Sequence, residues 1–238
     1  MPISRDDSGF LFWSEAWGTP AIGLETERLQ LCIDEVLARG LTGVFGRHPE
    51  YREADLSCLL NLPNLTSVEL WDIKLSDVSA IYELSKLTHF RISGKRPPIN
   101  FERLATVQHL VVEHDKKDTG ISKLRNLKLM NLWRFKAKAI NTFEFDLPRS
   151  VEEFGLFWSN VDSLGGFGVC PNVKRLEVAR CRNLQSLGDL KTTFPKLEHL
   201  VVDACGRLTA DEAKRALTGH SSVKHAFAGK QLIVSSKS

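Results

Sequence analysis

The sequence has no long uncharged apolar stretch. No segment approaches the roughly 20 apolar residues that a membrane-spanning helix requires, so we expect no membrane partner. The N-terminal residues MPISRDDSGFLFWSEAW lack a basic region that leads into an apolar core, which argues against a secretory signal peptide. The sequence therefore predicts a cytoplasmic protein.

Cysteine is scarce, and its spacing carries no metal or disulfide signature. The five cysteines lie far apart and none belongs to a CxxC pair, so neither a disulfide framework nor a zinc knuckle is indicated. Reduced thiols packed in a core are typical of the cytoplasm. The positions are Cys32, Cys58, Cys170, Cys181 and Cys205.

The chain also lacks a strong charge of one sign. Its 32 Lys and Arg against 29 Asp and Glu give a formal net charge of +3, which is a weaker excess than nucleic-acid binders of this size usually carry. Basic pairs such as Lys116-Lys117 and Lys214-Arg215 each lie beside an acid, and we interpret them as solvated surface. The sequence therefore argues against a nucleic-acid partner.

Catalytic motifs are missing as well. There is no nucleophile elbow, no P-loop, no HExxH motif and no dinucleotide-binding GxGxxG. The glycines of residues 164–169 could cradle a phosphate, but they lie in a connection and not between a strand and a helix, so we interpret them as a tight turn. We expect no catalytic residue, no metal site and no cofactor, and we predict that the chain is not an enzyme.

What the sequence does contain is an internal repeat. Apolar residues recur at the first, fourth and sixth places of successive units, and the units begin about 20 to 24 residues apart. Residues 41 and 223 begin degenerate first and last units. The regular units begin at Leu65, Leu87, Val107, Leu127, Val151, Val173 and Leu197.

A second periodic signal precedes each unit. Apolar residues stand six and three places before the start, as Leu59 and Leu62 do before Leu65. This spacing predicts a single helical or 3₁₀ turn that leads into a strand. Asp55 and Asp77 precede two of these turns, where a carboxylate can accept hydrogen bonds from exposed N–H groups.

Residues 65–87, with Leu75, Asp77, Val78, Ile81 and Leu84 in register, resemble the SDS22-like or internalin-type leucine-rich repeat. The resemblance covers residues 41–228. It implies an α/β solenoid: a leucine-rich-repeat horseshoe with a parallel concave sheet and short helices or turns on the convex side. Place nine, where that family usually has an Asn or Cys bonding to neighbouring backbones, departs from the pattern at four units and is restored only at two cysteine-containing-type units: Ile73, Lys95, Asp115 and Phe135, then Cys181 and Cys205.

The ends of the array need caps, because each repeat buries its apolar face only against a neighbour. Residues 1–40 are the predicted N-terminal cap, with an amphipathic helix over residues 25–39 that ends at Gly40. Residues 41–228 are the repeats, and residues 229–238 are a C-terminal strand and a frayed tail. Thr209 and Glu212 form a capping box for a late helix. The predicted buried face of the first helix is Leu29, Cys32, Ile33, Val36 and Leu37.

Alternate side chains of a strand point to opposite faces, so places three, five and seven should face solvent. Several aromatic residues fall there, and Trp and Arg dominate binding hot spots. The alternative is that loops or terminal segments cover these rings. Histidines at place three are expected to contact a partner and not a metal, because no third ligand completes a set. The predicted partner-binding residues are Glu69, Trp71, His89, Arg91, His109, Asn131, Trp133, Arg134, Phe157 and Trp158.

These features predict a non-catalytic protein-binding module. Its sharpest form is a bacterial immunity protein that neutralises a co-encoded toxin. The alternative is a regulatory or adaptor subunit that docks on an enzyme, as SDS22-like proteins do on a phosphatase. A small enzyme or nucleic-acid binder is the third hypothesis, and the mild net charge argues against it.

Overall fold

The computed structural model describes residues 3–16, 19–136, 145–229 and 231–235. It divides into two compact units, unit 1 (Met1–Leu110) and unit 2 (Val111–Ser238). The boundary lies within a strand of the predicted repeat array. No helix among the described residues has the length and apolar content to cross a bilayer.

Unit 1 begins with three antiparallel strands and continues with parallel ones. β1 (Ser4–Arg5), β2 (Leu11–Ala16) and β3 (Thr19–Gly23) pair in order. After helix α1 (Leu29–Ala38), β3 pairs in parallel with β4 (Gly43–Arg47). The parallel order then continues with β5 (Ser67–Lys74) and β6 (His89–Lys95). The 3₁₀ turns are Thr26–Arg28, Ser57–Asn61, Ser79–Glu83 and Phe101–Arg103. Strand β7 (His109–Glu113) crosses the unit boundary.

Unit 2 continues the repeat with five parallel strands and ends on an antiparallel one. They are β8 (Leu129–Trp133), β9 (Glu153–Phe157), β10 (Arg175–Ala179), β11 (His199–Asp203), β12 (His225–Ala228) and the antiparallel β13 (Gln231–Ser235). Short helices α2 (Leu190–Thr193) and α3 (Ala210–Ala216) and 3₁₀ turns at Ile121–Lys123 and Gly165–Phe167 connect them. The repeat-like, mostly parallel sheet with short helices and turns is confirmed.

The register of the strands stacks the apolar places. Leu70 lies opposite Ile92 in unit 1, and Leu132 lies opposite Leu156 in unit 2. Side chains at equivalent places of neighbouring strands therefore contact each other along the sheet. All seven residues predicted for the buried place six are at most 2% exposed: Leu70, Ile92, Val112, Leu132, Leu156, Val178 and Val202.

The predicted local signals at the turns and helix ends are also found. Asp55 accepts a hydrogen bond from the Ser57 N–H (2.8 Å), and Asp77 accepts one from the Ser79 N–H (2.9 Å). Thr209 accepts from the Glu212 N–H as the N-cap of α3. The predicted tight turn is the 3₁₀ turn Gly165–Phe167.

The N-terminal region differs from the prediction in two respects. Helix α1 forms and is followed by Gly40, but Leu37 is 53% exposed and not on the buried face. The three strands before the helix were not predicted, because the array pattern begins only at residue 41 and residues 1–40 were interpreted as a helical cap. At the other end, β13 is present, and residues 236–238 of the predicted frayed tail lie outside the described residues.

Place eight has a left-handed backbone in six of the repeats that the structure describes; it lies within β5 and β6 in unit 1 and directly after the strand in unit 2. The Arg134, Trp158 and Arg180 N–H groups there donate to the place-seven carbonyl of the next strand, at 2.9, 3.0 and 2.9 Å. These hydrogen bonds extend the pairing of neighbouring strands to the residue at which the chain turns out of the sheet. The positive φ residues are Asp72, Gly94, Arg134, Trp158, Arg180 and Ala204.

A partial place-nine ladder runs through unit 2. The Cys181 thiol donates to the Leu156 carbonyl and the Cys205 thiol donates to the Val178 carbonyl, both at 3.6 Å. Ser159 is the place-nine residue of the repeat between those of Phe135 and Cys181. Its hydroxyl accepts a hydrogen bond from the Phe135 N–H at 3.0 Å and donates one to the Phe157 carbonyl at 3.0 Å. The two cysteines do satisfy neighbouring backbone groups, and Ser159 is a member that the sequence interpretation omitted.

Gly94 is where the place-eight turn tolerates no side chain. Its φ is +106°, and a Cβ atom would lie 2.3 Å from the Ile73 carbonyl oxygen. Gly94→Ala should lower the free energy of unfolding by more than about 2 kcal/mol, from backbone strain and the clash together. Gly40→Ala is the control, because Gly40 has φ +61° but open space around it. It should cost only about 1 kcal/mol. Urea unfolding of both variants measures the difference, and equal losses would contradict this reading.

Candidate functional site

The face formed by places three, five and seven is packed differently in the two units. In unit 1, Trp71 is half-buried against the N-terminal strands. Its ring centroid lies 5.6 Å from that of Trp13 on β2 and 5.9 Å from that of Phe45 on β4. Phe45 belongs to a buried cluster with Leu11 and Ala21. A terminal segment therefore packs on Trp71, which is the alternative that the sequence left open.

Glu69 lies two residues before Trp71 on β5. Its side chain is 0% exposed, and one carboxylate oxygen lies 3.5 Å from the Arg91 guanidinium. The Arg91 guanidinium carbon lies 4.9 Å from the Trp71 ring centroid. Burial lowers the pKa of Arg91, and the Glu69 carboxylate opposes that shift. Glu69 is therefore buried at a place that the alternation rule assigns to solvent, and its contact with a partner stays a prediction.

His89 and His109 lie side by side, as the predicted register requires. Their ring centroids are 4.4 Å apart with an interplanar angle of 83°. The His89 Nδ1 atom is 2.9 Å from the Thr88 hydroxyl. Burial lowers the pKa of His89, and the neighbouring His109 lowers it further. Across the described parts of the chain, no group of three or more His, Cys, Asp or Glu side chains is arranged to hold a metal ion.

In unit 2, three aromatic rings form an open cluster at the ends of β8 and β9. We call Trp133, Phe157 and Trp158 the aromatic cluster. The Trp133 centroid lies 6.1 Å from that of Phe157 and 5.2 Å from that of Trp158. Trp158 is 46% exposed. These rings support one another and still present apolar surface to solvent.

Gly155 makes room for part of this arrangement. A Cβ atom there would lie 2.2 Å from the Asn131 Oδ1 atom and 2.4 Å from the Phe157 ring. The Asn131 amide and the Phe157 ring therefore occupy the space above the Gly155 backbone. Beside them is a surface pocket of about 190 Å³, whose lining includes Leu129, Asn131, Glu153, Gly155, Arg175 and Glu177.

Two arginines flank the aromatic cluster. The exposed Arg134 guanidinium lies 3.0 Å from a Glu113 carboxylate oxygen. The Arg180 guanidinium carbon lies 5.4 Å from the Trp158 ring centroid. Arg180 was not among the predicted residues, although its place, one repeat beyond Trp158, could have identified it. Trp13 could not have been found, because it belongs to strands outside the repeat.

The predicted site residues thus fall into two groups, one in each unit. Unit 1 contains the packed group, and unit 2 contains the open group with the aromatic cluster. The open group offers apolar area, a cation and an amide, which are contact chemistry. The sets are Glu69, Trp71, His89, Arg91 and His109, then Asn131, Trp133, Arg134, Phe157 and Trp158.

Comparison with protein-family models returned no match, and comparison with curated proteins returned no significant match.

Truncation separates the packed group from the open one. Trp71→Ala should lower the free energy of unfolding by about 2 kcal/mol or more, because it removes ring contacts in a largely buried cluster. Trp158→Ala should change it by less than about 1 kcal/mol, because Trp158 is 46% exposed and lies at the edge of its cluster. Chemical denaturation of both variants measures this contrast. A larger loss from Trp158→Ala would mean that its ring belongs to the core.

The lowered pKa of His89 predicts a pH dependence of stability. The unfolded chain takes up the His89 proton near the ordinary histidine pKa of about 6.5, whereas the folded protein takes it up at lower pH. The stabilising contribution is therefore complete above that ordinary value and is lost as the pH falls toward the folded pKa.

His109→Gln should raise the His89 pKa, because it removes the neighbouring imidazole. NMR titration of the ring protons measures the His89 pKa in the wild-type protein and in the variant. An unchanged His89 pKa would contradict the assigned cause.

Proposed function

We propose that this protein is a non-catalytic binding module for another protein, and that its contact surface is the aromatic cluster of unit 2 with the flanking Arg134. The observation that carries the proposal is Trp158. Its ring is 46% exposed and its backbone has a φ of +50°.

Neither the backbone conformation nor the burial of the ring explains why a tryptophan stands at that position. A left-handed backbone costs roughly 1–2 kcal/mol for a residue with a Cβ atom, and Gly or Asn would adopt it more readily. The ring recovers only part of the hydrophobic stabilisation, since nearly half of it stays in water. Large aromatic side chains are enriched in the hot spots of protein interfaces. Burial of Trp158 by a partner would explain why a tryptophan stands at this position.

The neighbouring side chains suit a specific contact. Trp133 and Phe157 hold the Trp158 ring at a fixed place, so little side-chain entropy is lost on binding. Arg134 is exposed and ion-paired to Glu113, which gives the surface both signs of charge. Mixed charges orient a partner and disfavour wrong ones.

In its finer form, the proposal identifies the repeats as leucine-rich repeats of a horseshoe, and the protein as a cytoplasmic immunity protein for a co-encoded toxin. An immunity protein needs tight and selective contact without chemistry. The apolar repeat pattern and the exposed cluster support this reading. An adaptor on an enzyme needs the same surface, and the experiment below separates the two.

Co-expression with the product of the adjacent gene tests the proposal. The wild-type protein should protect cells from that product, and Trp158→Ala should abolish protection while leaving the amount of soluble protein unchanged. We expect its affinity to fall at least about tenfold, as for a hot-spot tryptophan. Phe227→Ala is the matched control, because Phe227 is an aromatic residue of unit 2 that is 44% exposed and lies outside the cluster.

If Phe227→Ala weakens protection as much as Trp158→Ala, the contact surface is assigned wrongly. If the neighbouring product is harmless but still binds the protein through Trp158, the adaptor reading replaces the immunity one. If it neither harms cells nor binds, both finer readings fail.

A further inference from the structure

The exposed charges of unit 2 are distributed unevenly between the two ends of its strands. Among the residues of unit 2 that the structure describes, seven basic side chains are exposed at places eight to eleven, after the strand ends. We call these seven residues the basic rim. They are Lys116, Lys117, Arg134, Lys136, Arg180, Arg182 and Arg207. Asp115 is the one acidic residue that the structure describes at these places. It is only half-exposed, and it accepts a hydrogen bond from the Lys117 N–H at 2.9 Å.

At the opposite ends of the same strands, charged side chains of both signs pair with one another. At place two, Lys and Glu alternate from one repeat to the next. Glu152 pairs with Lys128 at 3.1 Å and with Lys174 at 2.9 Å, and Glu198 pairs with Lys224 at 2.6 Å. This ladder shows that the repeat can place compensating charges side by side. The basic rim is therefore not a general feature of strand ends in this protein.

The basic rim is also largely unneutralised. Arg134 has an ion pair with Glu113, and the other six side chains have no ion-pair partner in the portion of the chain that the structure covers. Arg180 instead lies over the Trp158 ring. Like charges along one edge repel one another and raise the free energy of the isolated protein. An anionic partner would remove that repulsion.

We infer that the basic rim binds an acidic segment of the partner protein, with Trp158 contacting an apolar side chain of the same segment. This inference rests on the proposed function and names the chemistry of the partner. Arg134 and Arg180 flank Trp158 at the same place of adjacent repeats. A chain that carries carboxylates on either side of an apolar residue matches that order.

The acids of the neighbouring sheet face favour a protein over a nucleic acid. Glu113, Glu153, Glu177 and Asp203 lie at places three, five and seven of the same strands, beside the aromatic cluster. A phosphate backbone carries closely spaced negative charges and would meet these carboxylates as well as the basic rim. An acidic peptide places its charges singly and can direct neutral side chains toward the acids.

Fluorescence polarisation with three labelled probes tests this inference. The probes are a short peptide of alternating glutamate and leucine, the same peptide with glutamine for glutamate, and a single-stranded oligothymidine. The rim variant carries Arg180→Gln, Arg182→Gln and Arg207→Gln. The control variant carries Lys123→Gln, Arg125→Gln and Lys191→Gln, which removes as much charge from exposed residues elsewhere in unit 2.

The acidic peptide should bind the wild-type protein at least about tenfold more tightly than its neutral counterpart, with an affinity that falls as salt rises. The rim variant should lose about tenfold in affinity for the acidic peptide, and the control variant should lose less than about twofold. Trp158→Ala should also weaken this binding.

Four outcomes would overturn the inference. Equal binding of both peptides, lost in Trp158→Ala, would leave the proposed contact surface standing without its charge selectivity. Equal losses in the rim and control variants would reduce the effect to net charge. Tighter binding of the oligothymidine would favour a nucleic acid and would also contradict the proposed function. Binding of none of the probes would remove the acidic segment from the account, while the rescue experiment still tests the contact surface by itself.

Discussion

The in-register pairing of parallel strands is the constraint on which the rest of each unit depends. Leu132, Leu156 and Val178 occupy the same place of adjacent strands and bury one another, which no single repeat can achieve. Because that register is fixed, every other place of the repeat forms a row as well. Place two becomes a ladder of alternating charges, and place eight becomes a row of left-handed residues. The rows that folding does not use are available for recognition.

The two units use the same face in different ways. In unit 1, Trp13 from the N-terminal strands packs on Trp71 and Phe45, and Glu69 is buried with Arg91 beside it. A buried carboxylate next to a guanidinium contributes little net stability, but loss of one partner leaves a charge without compensation. This face of unit 1 is therefore part of the packing. In unit 2, the aromatic cluster stays open, and the basic rim adjoins it.

The sequence predicts most of what repeats and little of what does not. Buried places such as Leu156 and caps such as Asp77 follow from spacing, because apolar periodicity and short-range hydrogen bonds are local. The burial of Glu69 does not follow, because the alternation of side chains along a strand assigns its place to solvent. The packing of Trp13 on Trp71 does not follow either, because Trp13 is far away in the sequence and outside the repeat. The left-handed turn at place eight does not follow from the sequence either. Gly94 is the residue type that usually adopts this conformation, whereas Trp158 and Arg180 adopt it against their preference.

The proposed contact surface requires that a partner covers Trp158 and leaves Trp71 unchanged. Hydroxyl-radical footprinting, read by mass spectrometry for the free protein and for its complex with the product of the adjacent gene, tests this claim at single residues. Trp158 should be oxidised readily in the free protein and protected in the complex, and Trp71 should be oxidised slowly and equally in both. Protection of Trp71 with no change at Trp158 would contradict this claim.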